Sequence, residues 1–243
     1  MSLSEIEIRE EIRGKKISMI FQEPRTSMNP AFRIGQQMVE VIMRHQKLPK
    51  KNALDKAITM LEEVKMPEAS RVARYYPHEL SGGMLQRSMI AMELSCNPSL
   101  FIADEPTTAL DVTIQAQILN LMRKIQRERN MAILLISHDL GVIAQLCQKV
   151  AVMYAGCIVE YAPVERMFEN PRHPYTQGLY HSVVGLGKEK ERLDTIAGDV
   201  PDLTELPAGC QFHPRCRQAV DLCRKERPGR IEVEPGHYVY CHS

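Results

Sequence analysis

Three short, nearly unbroken apolar runs alternate with stretches of helical periodicity, and this alternation constrains the fold more than any other feature. The runs are Ile17-Ser18-Met19-Ile20-Phe21, Leu100-Phe101-Ile102-Ala103 and Met131-Ala132-Ile133-Leu134-Leu135-Ile136. Each has the length of a strand and none approaches the ~18 apolar residues of a membrane span. Unbroken apolar strands between helices predict a parallel sheet covered on both faces. A capping box at Ser4-Glu5-Ile6-Glu7 predicts a short polar helix to about Arg13, and Pro24, Asn29 and Pro30 predict a loop. Apolar spacing predicts helices over 33–48 (Ile34, Met38, Val41, Ile42) and through Leu54, Ala57, Ile58, Leu61 and Val64. A third follows Ser81-Gly82-Gly83. Residues 33–96 thus read as a helical block. Further helices are expected through Ile114, Ile118, Leu121, Met122 and Ile125, and over 140–147. Val150–Tyr154 and Cys157–Tyr161, joined by Ala155-Gly156, read as a hairpin, and short helical pieces run from Pro163 to Val184.

Composition narrows the function classes. The 243 residues are 44% hydrophobic and 25% charged with a net charge of +1, the balance of an ordinary globular chain. Near-neutral charge and the absence of Trp argue against nucleic acid as a partner. No apolar leader is seen at the N-terminus, so a cytosolic or peripheral membrane location is expected. In that compartment seven cysteines point to thiols or metal ligands rather than disulfides.

The sharpest string is Leu80-Ser81-Gly82-Gly83-Met84-Leu85-Gln86-Arg87. Ser81 can cap a helix while two glycines bring backbone N–H groups close to an anion at the helix's positive end. A plain capped helix is the alternative. Leu100–Ala103 ends in Asp104-Glu105, hard oxygen donors suited to Mg²⁺ and to orienting a water. Ser137-His138-Asp139 ends the next strand, and Phe21-Gln22-Glu23-Pro24 ends the first. In open α/β sheets, ligands bind at such strand ends.

These strings, in this order, resemble the ABC ATPases. The resemblance implies an α/β, P-loop NTPase-like domain with a parallel sheet, a helical subdomain and a small Cys-containing C-terminal extension. It implies that Ser81, Gly82, Gly83 and Gln86 form the signature motif facing ATP on a partner subunit. Asp104 would hold Mg²⁺ with Gln22, Glu105 would polarise the attacking water, and His138 would contact the γ-phosphate. Asp111, in Ala109-Leu110-Asp111, would lie at the dimer interface. The Walker A pattern Gly-x-x-x-x-Gly-Lys-Ser/Thr does not occur in the 243 residues. The expectation is therefore an N-terminally truncated domain that binds ATP weakly or not at all by itself. In the family the missing strand lies between the switch-histidine strand and the strand at Val150–Tyr154, so two strand edges and a core face should lie open.

Thr26-Ser27-Met28-Asn29-Pro30, Asn170-Pro171-Arg172-His173-Pro174-Tyr175-Thr176 and Gly198-Asp199-Val200-Pro201 resemble the dipeptide, oligopeptide and nickel importer branch. So does a tail with Cys210, Cys216, Cys223 and Cys241. Four thiols in a weak core suggest a metal staple. The resemblance favours a [4Fe–4S] cluster, Zn²⁺ is the alternative, and His213 and His237 are spare ligands. Free core thiols or disulfides are the bland readings, and Cys96, Cys147 and Cys157 read as core residues. Expected segments are 1–32 (first strand and loop), 33–96 (helical subdomain), 97–184 (α/β core) and 185–243 (tail), with a linker at 185–190.

By resemblance the function is ATP hydrolysis powering import of dipeptides or oligopeptides. Implied partners are a second ABC ATPase subunit, identical or not, two transmembrane permease subunits and, indirectly, an extracytoplasmic peptide-binding protein, at the cytoplasmic face of the membrane. The alternative is a non-catalytic half-site module completing a partner's ATP site. A soluble ABC protein of DNA repair or translation, or a redox-sensing tail, fits the strings less well.

Overall fold

The computed structural model describes residues 4–108, 110–184 and 196–242. They form two compact units, 1–146 and 147–243. The expected linker at 185–190 lies outside the described residues.

In the first unit the Ser4 capping box forms as expected. The Ser4 amide donates to Glu7 Oε2 (2.8 Å) and the Glu7 amide to Ser4 Oγ (3.3 Å). One helical turn leads into a π-helical turn over Ile8–Ile12. Strands β1 (Ile17–Ile20), β2 (Leu100–Asp104) and β3 (Ala132–Ile136) pair in parallel in the order β1-β2-β3. Between β1 and β2 the chain makes helices α1 (Ile34–Gln46), α2 (Lys50–Glu63) and α3 (Gly82–Leu94). After β2 come α4 (Val112–Arg129) and, after β3, α5 (Leu140–Leu146). Ile34, Met38 and Ile42 of α1, Leu61 of α2, Ile90 of α3, Phe101 of β2 and Ile118 of α4 share one buried core.

The segment after β1 is not all loop. Pro24–Ser27 makes one helical turn, with Thr26 and Ser27 hydroxyls donating to the Glu23 carbonyl at 3.0 and 2.8 Å. A proline at the first helical position is pre-set for this. On α1, Val39 rather than Val41 is buried, and on α2 Leu54 stays exposed. Cys96, Cys147 and Cys157 are half-buried, not core residues.

The sheet is not covered on both faces, and the open core face expected beside the Ser137-His138-Asp139 strand is found at β3. Ile133 and Leu135 pack on the core, whereas Leu134 and Ile136 are 50% and 45% exposed. Successive strand residues point to opposite faces, so the side of β3 that carries Leu134 and Ile136 lies open. β3 is also a sheet edge, so an open edge and an open apolar face coincide.

The second unit is built on antiparallel pairing. β4 (Lys149–Tyr154) and β5 (Cys157–Pro163) form the expected hairpin. Its two connecting residues, Ala155 and Gly156, both have left-handed backbones (φ 44° and 78°), the twist that tight hairpins favour. α6 (Val164–Glu169) and α7 (Pro174–Val184) follow. The tail adds α8 (Asp221–Lys225), β6 (Ile231–Glu234) and β7 (His237–Val239). Sheet order is β4-β5-β7-β6. β7 pairs with β5 (Glu160↔Val239, Tyr161↔Tyr238), so the end of the tail shares this sheet. The two compact units meet between 146 and 147. Among the described residues, the strand at Val150–Tyr154 has no pairing with the parallel strands, as expected of an edge that lacks its neighbour.

One buried acid ties α3 to β1. Glu93 accepts the Met19 amide, and burial pushes its carboxyl up to about 7. The folded unit thus keeps this proton up to about pH 7, whereas the unfolded chain releases it near 4.5. Stability should be highest below pH 4.5 for this group and fall by roughly 3 kcal/mol as pH rises through 7. Denaturation midpoints at pH 5 and 8 should lose most of that difference in Glu93→Gln; an unchanged pH dependence would refute it.

Candidate functional site

The parallel register brings the strand-end residues to one edge. Ile20 pairs with Ala103, and Asp104 with Ile136. Gln22, Asp104 with Glu105, and His138 therefore leave three adjacent strands at the same, carboxyl end. Gln22 is exposed, and no described residue hydrogen-bonds the half-buried Asp104 side chain.

Glu105 is the most constrained of the set. Its backbone is left-handed (φ 49°), unusual for a non-glycine residue, and its amide donates to the Ile136 carbonyl at 2.9 Å. Its carboxylate is held on both oxygens. Thr108 Oγ1 donates to Oε2 (2.5 Å), and His138 Nδ1 lies 2.6 Å from Oε1. Burial raises the Glu105 carboxyl, but the bonds from Thr108 and His138 outweigh it and leave the group lowered. The same hydrogen bond and charge raise His138, whose ring is 77% exposed. The arrangement is a fixed carboxylate beside an accessible imidazole, suited to orienting a water and moving its proton.

The glycine string stands at the start of α3. Ser81 caps it, accepting the Met84 amide at 3.4 Å. A Cβ on Gly83 would come within 2.8 Å of Ile114 Cγ2, and one on Gly82 within 3.7 Å of Leu110 Cδ2. The glycines thus admit the 110–114 segment, where Asp111 caps α4 by accepting the Ile114 amide (2.9 Å). Ser81 and Asp111 are exposed. Gln86 is not: it is 2% exposed and its Nε2 has no hydrogen-bond partner. One helical turn beyond Ser81, α3 has rotated that side chain into the core, so its expected place on a partner-facing surface is corrected.

Several contributors were not singled out from the sequence. The next residue, Arg87, is buried and donates to the Val64 carbonyl (2.7 Å) and to Gln117 Oε1 (2.9 Å), joining α3 to the end of α2 and to α4. Gln115 of α4 donates to Asp139 Oδ2 (3.2 Å), while Asp139 Oδ1 accepts the amides of Gly141 and Val142. A cationic residue inside a helical apolar run was the available signal for Arg87; nothing local marks Gln115.

In the second unit the N-P-R-H-P-Y-T string surrounds Glu160. This fully buried carboxylate accepts the amides of Arg172 (2.7 Å) and His173 (2.9 Å) and lies 2.7 Å from His237 Nε2. Burial pushes His173 down to about 4, against the pull of Glu160. His237 is thereby engaged, and His213 Nδ1 lies 2.9 Å from the Cys210 carbonyl. Each histidine is engaged through one ring nitrogen, and His237 Nδ1 is buried with no hydrogen-bond partner among the described residues.

Cys223 and Cys241 are buried, and the Cys210 amide donates to the Cys223 carbonyl at 2.8 Å. Burial, then the neighbouring thiols, pushes the Cys210 and Cys216 thiols up. The donor chemistry suits a thiophilic metal, yet among the described residues no three His, Cys, Asp or Glu side chains are grouped so as to hold a metal ion. No helix among them is long and apolar enough to cross a membrane.

Comparison with known proteins bears on both units. A family model for the ABC transporter matches residues 2–108, and one for the oligopeptide/dipeptide transporter C-terminal region matches 159–223. The oligopeptide transport ATP-binding protein OppD of Escherichia coli is 49% identical over 241 residues, 99% of this chain and 71% of OppD. AppD of Bacillus subtilis is 50% identical over 230 residues, 95% of this chain and 70% of AppD. The solved dimeric bacterial ABC transporter cassette MJ0796 superposes with a TM-score of 0.58 at 26% identity, over 67% of this chain and 68% of that one.

The Gly83–Ile114 approach is testable. Gly83→Ala should cost about 1–3 kcal/mol of stability, because the Cγ2 of a β-branched side chain cannot swing aside. Ile114→Ala should cost less in the Gly83→Ala background than alone. Additive chemical-denaturation costs would refute the contact.

Proposed function

We propose, on the premise that this chain belongs to the ABC transporter family and within it to the oligopeptide and dipeptide importer ATP-binding subunits, that it hydrolyses ATP to power peptide import. The observation that carries this is the convergence of Gln22, Asp104, Glu105 and His138 at the carboxyl ends of three registered parallel strands. Two carboxylates and an amide oxygen suit a hard cation. Mg²⁺, held there by Asp104 and Gln22, would neutralise charge on the ATP phosphates. Glu105, fixed by Thr108, orients the attacking water and accepts its proton. His138 shares that carboxylate and offers an exposed ring to the phosphate side. Ser81, Gly82 and Gly83 present a helix N-terminus to the nucleotide of a second ATPase subunit.

In this reading the chain sits at the cytoplasmic face of the membrane. It pairs with an identical or a related ATPase and drives two permease subunits fed by an extracytoplasmic peptide-binding protein. The chain spans about 70% of the length of OppD and AppD, and no Gly-x-x-x-x-Gly-Lys-Ser/Thr loop lies within its 243 residues. A second reading is a module that only completes its partner's site, supported by the exposed Ser81 cap at the start of α3.

One experiment separates the two readings. ATPase rates are measured for the chain reconstituted with its partner ATPase and permeases. If the chain hydrolyses ATP, Glu105→Gln should lower turnover by on the order of 100-fold. If it serves only as a half-site, Ser81→Arg should abolish hydrolysis while Glu105→Gln leaves it unchanged. Loss of neither would remove the chain from the reaction.

We further propose that Cys210, Cys216, Cys223 and Cys241 carry a [4Fe–4S] cluster, or alternatively Zn²⁺. The support is four thiols in one small unit; no catalytic step passes through the group. Iron, acid-labile sulfide and zinc are measured on the chain purified without oxygen. One cluster or one zinc per chain is expected, and neither metal would end the proposal.

A further inference from the structure

The second unit contains a cavity of about 460 Å³ that no part of the reaction uses. Its volume falls in the roughly 300–1,000 Å³ range of small-molecule sites. Ile158, Val159, Phe212 and Tyr240 supply much of its apolar wall. Gly156 stands at the cavity with nothing within 4 Å of where a side chain would begin, which leaves that side open. Among the described residues lining the cavity, Arg227 is the one charged side chain. Its hydrogen bond goes to the thiol of Cys157, and no described carboxylate pairs with it. A guanidinium carries five donors in a planar fork, so one thiol leaves most of them unused. An apolar wall with a single unneutralised cation selects a ligand with an apolar body and one negative end.

We propose that this cavity binds a small amphipathic carboxylate, its apolar body against Ile158, Val159 and Phe212 and its carboxylate on Arg227. Cys157 lies beside the carboxylate and reports occupancy. The same chemistry is offered by a free medium-chain carboxylic acid and by the carboxyl end of a short apolar peptide. The site does not depend on the chain's hydrolysing ATP.

The full chain is titrated by calorimetry with octanoate and with N-acetyl-alanyl-leucine, using octanol and N-acetyl-alanyl-leucine amide as neutral counterparts. Alkylation of Cys157 by iodoacetamide is followed in parallel by mass spectrometry. At least one carboxylate should bind and slow alkylation of Cys157, and which one binds identifies the source. Arg227→Gln should weaken that carboxylate by at least about tenfold, the loss of a charge-assisted hydrogen bond, and leave its neutral counterpart unchanged. Arg227→Lys should recover part of the loss. Binding by neither carboxylate, equal binding of acid and neutral forms, or indifference to Arg227→Gln would overturn the proposal.

Discussion

The register of the three parallel strands is the constraint on which the rest of the site depends. Hydrogen bonds pairing Ile20 with Ala103 and Asp104 with Ile136 decide that three chain segments distant in sequence end at the same level. A slip of one residue would turn every side chain of a strand to the opposite face. The core prevents it, because Ile20, Phe101 and Ala103 must stay buried. The left-handed turn at Glu105 follows from the same ladder: its amide reaches across to the Ile136 carbonyl, and the carboxylate is delivered to Thr108 and His138.

Helix α4 links the glycine string to that edge. Ile114 occupies the space left at Gly83, Gln117 receives Arg87 of α3, and Gln115 reaches Asp139 beside the histidine. The glycine string and the groups at the strand ends are thus braced by one helix. Arg87 is buried with a carbonyl and a side-chain amide accepting two of its donors, and burial lowers its guanidinium from the usual range.

In the second unit Glu160 plays the organising part. A fully buried carboxylate is tolerated because two amides and an imidazole surround it. Arg172 and His173 bring the connection between α6 and α7 to β5, and His237 brings the tail. The N-P-R-H-P-Y-T string is, in this sense, a clasp around one side chain of another segment.

The sequence by itself determined the elements and the chemistry of the strand ends. Apolar period and caps are local properties, so β1, β2, β3, the hairpin, the Ser4 and Ser81 caps and the positions of Gln22, Asp104, Glu105 and His138 were legible. The family's motifs lie on those same local elements, so its ATPase fold was legible with them. What the tertiary structure alone decided depends on contacts between distant segments. Pairing of β7 with β5 moved the tail into the second sheet, because strand partners are chosen by edges and registers that composition does not encode. The burial of Gln86 depends on what packs against each face of its helix. The capture of His237 by Glu160 joins residues 77 positions apart. Periodicity shows that a helix or strand has an apolar side; only packing decides which side is covered, and by what.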